Sequence, residues 1–567
     1  MERTAARRRA ALTERHPYWT PRCLHTLLDD AAGEFGQRDY VVTDQACHSY
    51  AEVAARSKAI AGGLRACGVG PGDHVAVIMA NFVEFVALKY AISRLGAVCV
   101  PINFLNRRDE IGYVLAQSDA GVLVTMDRFR GLDYLAALDE LAPDWPRCGC
   151  GAAFPKLRQV VVMPTGETPL PEGAMAFAEL ESSHEPFGGL DDPDPQAVSD
   201  IIYTSGTTGS PKGVLMTHEM LLRASFGSAY ARAFDDGWRV TFSLPMYHVY
   251  GYVEGMLTVP FVGGAIIPQL SFDPIATLDA IDRHDADDIL LVPTMTVALL
   301  DVLRSNPRPL PSLRAVISSG QRSPAWIWND IDRLLAPQEV TTGYGMTELT
   351  ATMSMTRPED PDSKRRTTNG RMRDTGPAGD PETGCLAEFR VADPETGKAV
   401  ADGQEGEIMA RGLCVTAGYY KKPEETRAAF NAEGWLHTGD LGRFDADGYL
   451  ILVGRLKETY RCGGEQVMPT EIEDLLVTHP AVLQAHVVPV PDKRMGEAGA
   501  AYVVLRDAPN VTPEELTALC ADRLARFKVP KYVLPIPASE LPTTPSGRAR
   551  KFLLTQRAIE ELELGNS

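Results

Sequence analysis

Short apolar runs alternate with stretches of helical period between about residues 50 and 125. The run His-Val-Ala-Val-Ile-Met at 74–79 predicts a buried strand, and 82–95 predicts a helix. Further strands are expected at 97–101 and 121–125, and the pattern resumes at 200–203, 265–267, 288–292 and 315–317. Strands alternating with helices predict a layered α/β domain with mainly parallel sheets. Residues 166–194, rich in Pro, Gly, Glu and Asp, predict a surface excursion. From about residue 384 the texture changes to short strands with Gly/Asp turns, such as 445–448 ahead of the run at 449–453. Beyond Gly454 the pattern predicts a helix near 470–478, strands at 485–489 and 501–505, and a helix over 513–526. A sheet-plus-helix module of roughly 110 residues can fold as its own domain. The boundary is placed at 455–458, between a large domain over 1–454 and a small one over 459–567.

The chain of 567 residues is longer than one hydrophobic core organises, which agrees with two domains. A net charge of -19 argues against a general nucleic-acid binder, which needs a basic face to displace counterions. It leaves a nucleotide ligand open, because a phosphate site needs only a few local donors. Ten scattered cysteines, the closest pair being Cys148 and Cys150, make neither a zinc set nor a disulfide framework. The basic segment at 1–10 leads into no apolar core of a signal peptide, and no apolar run approaches the roughly 18 residues of a membrane span. A cytoplasmic enzyme with reduced thiols and small-molecule substrates is the expectation.

The candidate chemistry begins after the strand at 200–203. Thr204, Ser205, Gly206, Thr207, Thr208 and Gly209 pack hydroxyls and glycines into six positions, and Lys212 and Gly213 follow Ser210-Pro211. Glycines let backbone N–H groups approach a polyphosphate, hydroxyls add donors without bulk, and Lys212 supplies a mobile cation. This is not the P-loop pattern, in which Gly-Lys is followed by Ser or Thr.

The whole string from Tyr203 to Gly213 resembles the signature of the adenylate-forming superfamily of acyl-CoA synthetases, nonribosomal adenylation domains and luciferases. The similarity runs from about residue 20 to 555, with further motifs in the family's order. The resemblance implies a large domain of layered α/β subdomains with a β-barrel-like part, and a mobile α+β C-terminal domain. It implies ATP and Mg²⁺ as cofactors and CoA as co-substrate. In Pro245-Met-Tyr-His248 it makes His248 the group that gates or orients a carboxylate. In Thr342-Gly343-Tyr344-Gly345-Met-Thr347-Glu348, Tyr344 would stack near adenine, Thr347 would contact the α-phosphate and Glu348 would hold Mg²⁺. Gly343 joins the nucleotide site, while Gly320 and Gly345 flank the substrate pocket. Asp440 would grip the ribose with Arg455, and Lys457 falls at the hinge about which the small domain turns. Gly463 and Gly464 would face the CoA side after that turn.

Three positions depart from the family pattern. Arg548 stands where a lysine after Ser/Thr-Gly reaches both acid and α-phosphate; Lys551 is a nearby alternative cation. Glu254, six residues after His248, falls with Tyr250 where relatives line the substrate pocket; it either faces a polar substrate or turns outward to solvent. Ser318-Ser-Gly-Gln321-Arg322 replaces the small residues and proline that relatives carry beside adenine. The leading reading is an acid–CoA ligase for a small or medium acid, aromatic or polar. Two alternatives stay open at this point. One is a CoA-independent enzyme, such as a diazotase activating nitrite toward an aromatic amine or an amide-forming ligase. The other is a nucleotide-binding protein acting by interaction.

Overall fold

The computed structural model describes residues 4–143, 145, 151–166, 169–204, 211–320, 325–372, 374–506, 511–544 and 547–564. Two seven-stranded sheets form the layered α/β part. In the first, strands Glu339–Thr341, Ala315–Ser318, Asp288–Leu291, Arg239–Phe242, Ala265–Pro268 and Asp39–Val42 run parallel, with Cys47–Ser49 antiparallel at the edge. In the second, Val198–Thr204, Val98–Pro101, His74–Ile78, Val122–Met126 and Gln159–Met163 are parallel, and Lys212–Thr217 closes one edge antiparallel to Val198–Thr204. Every residue of Val98–Pro101, Val122–Met126, Ala265–Pro268 and Asp288–Leu291 is buried, as unbroken apolar runs require when helices cover both faces of a sheet.

The helix expected at 82–95 is Val83–Arg94. Its Lys89 is fully buried and pairs with the equally buried Asp200 at the head of the strand that leads to the phosphate loop. An unpaired charge there would be costly, so the pair ties this helix to that strand. The stretch at 166–194 is not a plain surface excursion. Met175–Ala176 adds a strand beside Gln159–Met163, and helix Phe177–Ser182 buries Phe177 and Leu180. The reason is local: Phe177 and Leu180 share a helical face, and Gly63 on helix Tyr50–Ala66 lets the Leu180 carbonyl come close.

After residue 342 come a three-stranded antiparallel sheet (Gly343–Met346, Ala351–Met355, Arg371–Met372) and a four-stranded one (Glu388–Ala392, Gly406–Arg411, Leu436–Phe444, Leu450–Arg455). The C-terminal module pairs the long strands Val482–Asp492 and Gly496–Leu505, with Tyr532–Pro535 parallel beside the second. Alternation along this hairpin makes two cores. Val487, Ala501 and Val503 pack with Ile472, Leu476, Leu516 and Cys520, while Val488, Val490, Ala500, Tyr502 and Val504 pack with Leu554 and Ala558. Helices Pro469–Leu476 and Pro513–Arg523 both open on proline, whose missing N–H costs nothing in a first turn. No helix among the described residues is long and apolar enough to cross a membrane.

Candidate active site

Thr204 and Lys212, the described residues on either side of the phosphate string's centre, are register partners in an antiparallel pair. Ser205, Gly206, Thr207, Thr208, Gly209 and Ser210 lie outside the described residues, as do Gln321 and Arg322. The Lys212 ammonium sits 4.9 Å from the centre of the Tyr419 ring. The Tyr419 hydroxyl donates to Glu348 Oε1 at 3.0 Å. Tyr419 was not anticipated. The Gly418-Tyr-Tyr string carries no phosphate signal, and only pairing of residues 418–420 with 213–215 brings it here.

Glu348 is buried in the turn Thr347–Leu349. Burial pushes its carboxyl up, against its own backbone N–H, the Tyr419 hydroxyl, Arg455 and Lys212. Among the described residues no group of three His, Cys, Asp or Glu side chains could cage a metal. One carboxylate beside a phosphate loop suits Mg²⁺, which takes few protein oxygens and completes its shell with phosphate and water.

Asp440 and Arg455 are cross-strand partners. Arg455 Nε donates to Asp440 Oδ1 at 2.8 Å, and the Tyr344 hydroxyl donates to Oδ2 at 2.8 Å. Three predicted nucleotide residues, spread over more than a hundred positions, therefore share one carboxylate. The Tyr344–Glu348 segment has no room to spare. A Cβ on Gly345 would fall 1.8 Å from the Ala351 carbonyl, and one on Gly343 would fall 2.4 Å from that of Ser354. Side chains cap its backbone. Ser319 Oγ accepts from Gly343 N at 2.9 Å, and Thr356 Oγ1 accepts from Thr342 N at 2.9 Å. This accounts for part of the third departure, since Ser319 holds the nucleotide segment and Ser318 bonds Thr296.

His248 caps the short helix Val249–Gly251, its Nδ1 accepting from the Tyr250 N–H at 3.2 Å. Burial pushes its pKa down to about 4. With Nδ1 occupied as an acceptor and the ring neutral, the proton sits on Nε2, which can donate to a carboxylate but not remove a proton from it. The Tyr250 hydroxyl donates to the Leu291 carbonyl at 3.1 Å, holding that ring between the helix and the first sheet.

Glu254 follows neither expectation. It is fully buried in a π-helical turn, Tyr252–Met256, bonded to the Ser228 hydroxyl and accepting from the Thr352 N–H at 3.0 Å. The carboxylate faces protein donors, so it is neither solvated nor turned to a substrate. Two residues packed from distant elements supply partners that spacing could not reveal.

On the C-terminal module, Arg548 Nη2 donates to Glu458 Oε1 at 3.1 Å. Burial and the nearby Arg455 hold the Arg548 pKa down, against Glu458 and Asp440. The backbone ahead of it is pressed on the large domain. Gly547 has φ +74°, and a Cβ there would fall 2.4 Å from Thr294 Oγ1 and 3.3 Å from Val292 Cγ2. Val292 is also the neighbour of Gly320, which has φ +102°. Arg548, Arg455, Asp440 and Glu458 thus meet beside the predicted pocket floor. Lys551 reaches the same Glu458, which together with Glu473 holds its ammonium at 2.8 Å. Lys457 is exposed in the turn Leu456–Glu458. Gly463 and Gly464, with φ +63° and +90°, form a two-residue hairpin tip, Gly463 lying against Met495.

A cavity of about 910 Å³ lies outside the strand ends near Phe82, Phe129, Met163 and Leu270. None of the described predicted site residues lines it.

A family model described as AMP-binding enzyme matches residues 28–420, and the model for the AMP-binding enzyme C-terminal domain matches 471–548. The chain belongs to the AMP-binding enzyme family. The candidate acyl-CoA synthetase YngI of Bacillus subtilis is 34% identical, covering 95% of this chain and 98% of that protein. A feruloyl-CoA synthase from an Amycolatopsis species is 33% identical, covering 90% and 94%. The ATP-bound structure of MatB from Rhodopseudomonas palustris superposes with a TM-score of 0.80 at 27% identity, covering 94% of this chain and 99% of that one. This AMP-binding enzyme is an ATP-dependent, AMP-forming ligase of the acyl-CoA synthetase type that activates a carboxylic acid as its adenylate.

Proposed function

We propose that the enzyme activates a small or medium carboxylic acid, aromatic or polar, as an acyl adenylate and passes the acyl group to CoA. The meeting of Arg548 with Asp440, Arg455 and Glu458 carries this reading, because it sets a C-terminal cation beside the ribose carboxylate and the pocket floor. That arrangement suits the adenylation half-reaction. A feruloyl-CoA synthase among the relatives supports an aromatic acid and CoA as acceptor.

In this reading Tyr344 packs by adenine while Asp440 takes the ribose hydroxyls. Thr204, Thr347 and Lys212 contact the phosphates, together with Ser205, Gly206, Thr207, Thr208 and Gly209. Glu348 would hold Mg²⁺, which when bound would supply charge neutralisation for the departing pyrophosphate. His248 donates from Nε2 to one oxygen of the acid and leaves the other free to attack. That oxygen bonds to the α-phosphorus of ATP as the bond to pyrophosphate breaks, and Arg548 offsets the negative charge gathering there. No proton needs to be removed, which agrees with an imidazole that is a poor base. The small domain over 459–567 then turns about Lys457 and brings Gly463 and Gly464 to the acceptor side. The CoA thiolate attacks the acyl carbon, and AMP leaves with its phosphate oxygen.

AMP release across a panel of carboxylic acids, with and without CoA, tests the proposal. Acid-dependent AMP release coupled to thioester formation is expected. AMP formation that requires nitrite and an arylamine, with no thioester, would overturn it.

A further inference from the structure

Two irregular segments meet at Glu254. The helix after His248 widens to a π-turn over Tyr252–Met256, a form that recurs where a side chain must be re-aimed. Across the core, the pairing of Gly343–Met346 with Ala351–Met355 shifts register between Tyr344 and Gly345. A bulge of this kind disrupts the ladder and leaves main-chain groups in need of other partners. The hairpin is tight as well, with Thr350 at φ +55° and Ala351 at φ +84°. At the register break Glu254 Oε1 accepts from Thr352 N at 3.0 Å, and Thr352 is the partner of Gly345. The other carboxylate oxygen is bonded by the Ser228 hydroxyl. Arg232 donates to the Glu254 carbonyl at 2.8 Å and is itself held by Asp288 at 2.6 Å, so the π-turn's backbone is pinned too.

We infer that Glu254 is a positioning residue: a buried carboxylate that captures the Thr352 N–H at the bulge and thereby holds Tyr344, Thr347 and Glu348 in place for ATP and Mg²⁺. The inference rests on the proposed nucleotide roles of those three residues. Its chemistry is one of satisfaction. A buried backbone N–H without an acceptor is expensive, and at a bulge no strand neighbour supplies one. A carboxylate offers two acceptor oxygens, one for the Thr352 N–H and one for the Ser228 hydroxyl. Ser228 on helix His218–Ala231 therefore acts at one remove, by orienting Glu254.

Hydrogen exchange on the unliganded wild-type enzyme tests the contact without any substrate. The Thr352 amide should be as protected as amides of the Asp288–Leu291 strand; exchange at the rate of an exposed loop would overturn the inference. Isothermal titration of ATP with Mg²⁺, without acid, then tests the consequence. Glu254→Leu removes the acceptor and should weaken nucleotide binding by about ten-fold or more. Glu254→Gln keeps an acceptor for Thr352 and should recover most of that loss. Ser228→Ala should give an intermediate loss of about three-fold, and it serves if the leucine variant does not fold. The Mg²⁺ concentration for half-maximal AMP release should rise in the same order, while KM for the acid stays within about two-fold. Equal losses for the glutamine and leucine variants, or wild-type nucleotide affinity in Ser228→Ala, would overturn the inference. Failure of the wild-type enzyme to bind ATP would instead refute the nucleotide roles, leaving the exchange result to judge the contact.

Discussion

Replacement of Arg548 by alanine separates the two half-reactions. Among the described residues the side chain makes one ion pair, to Glu458 beside the hinge at 3.1 Å, and Glu458 keeps a second partner in Lys551 at 2.8 Å. Loss of a partly exposed pair whose carboxylate stays compensated costs about 0.2–1 kcal/mol, so the melting temperature should fall by no more than a few degrees. The rate effect is larger. A cation about 4 Å from a transferring phosphoryl group is worth about 4 kcal/mol at an effective dielectric of about 20. Deleting one preorganised donor of this kind costs on the order of 10²–10³ in rate. ATP–pyrophosphate exchange driven by the acid should therefore drop by that factor. Thioester formation from pre-formed acyl adenylate and CoA should stay within about five-fold of wild type, since the arginine would no longer be at the site. Arg548→Lys should restore part of the exchange, because the ammonium keeps the charge but not the planar fork. Equal losses in both half-reactions, or exchange that survives in the alanine variant, would refute the reasoning.

Gly547→Ala should also depress exchange and spare the thioester step, because the new Cβ would meet Thr294 Oγ1 at 2.4 Å in a backbone at φ +74°; rapid-quench assays of the two steps check this. His248 titrates near 4 when folded and near 6.5 when unfolded, so the unfolded chain binds more protons between those values. Its contribution to stability is full above about pH 6.5, falls as pH drops, and is lost by about pH 4; denaturant titrations should show His248→Gln less acid-sensitive than wild type over that window. Tyr419→Phe removes the hydroxyl that Glu348 accepts and should raise the Mg²⁺ concentration for half-maximal AMP release by about three-fold to ten-fold, with KM for the acid unchanged.

The two α/β sheets were legible because fully buried strands read as unbroken apolar runs, as at Val98–Pro101 and Asp288–Leu291. The antiparallel edge strand Lys212–Thr217 was not, because the Gly/Ser/Thr string before it signals a loop and not the direction of return. The helix Phe177–Ser182 was hidden in a polar stretch, where two apolar side chains are a weak periodic signal.

The amino-acid sequence alone determined the family, through the strings Tyr203 to Gly213 and Thr342 to Glu348. Glycines, hydroxyls and charges at fixed short spacing act through backbone geometry that neighbours dictate. The tertiary structure decided which groups those strings meet. Tyr419 reaches Glu348 across 71 positions, and Glu254 reaches Thr352 across 98. Burial lowered the pKa of His248, and docking of the C-terminal module brought Arg548 to the Asp440 cluster. Hydrogen bonds and desolvation depend on what packs against a side chain, and here most of those partners come from distant elements.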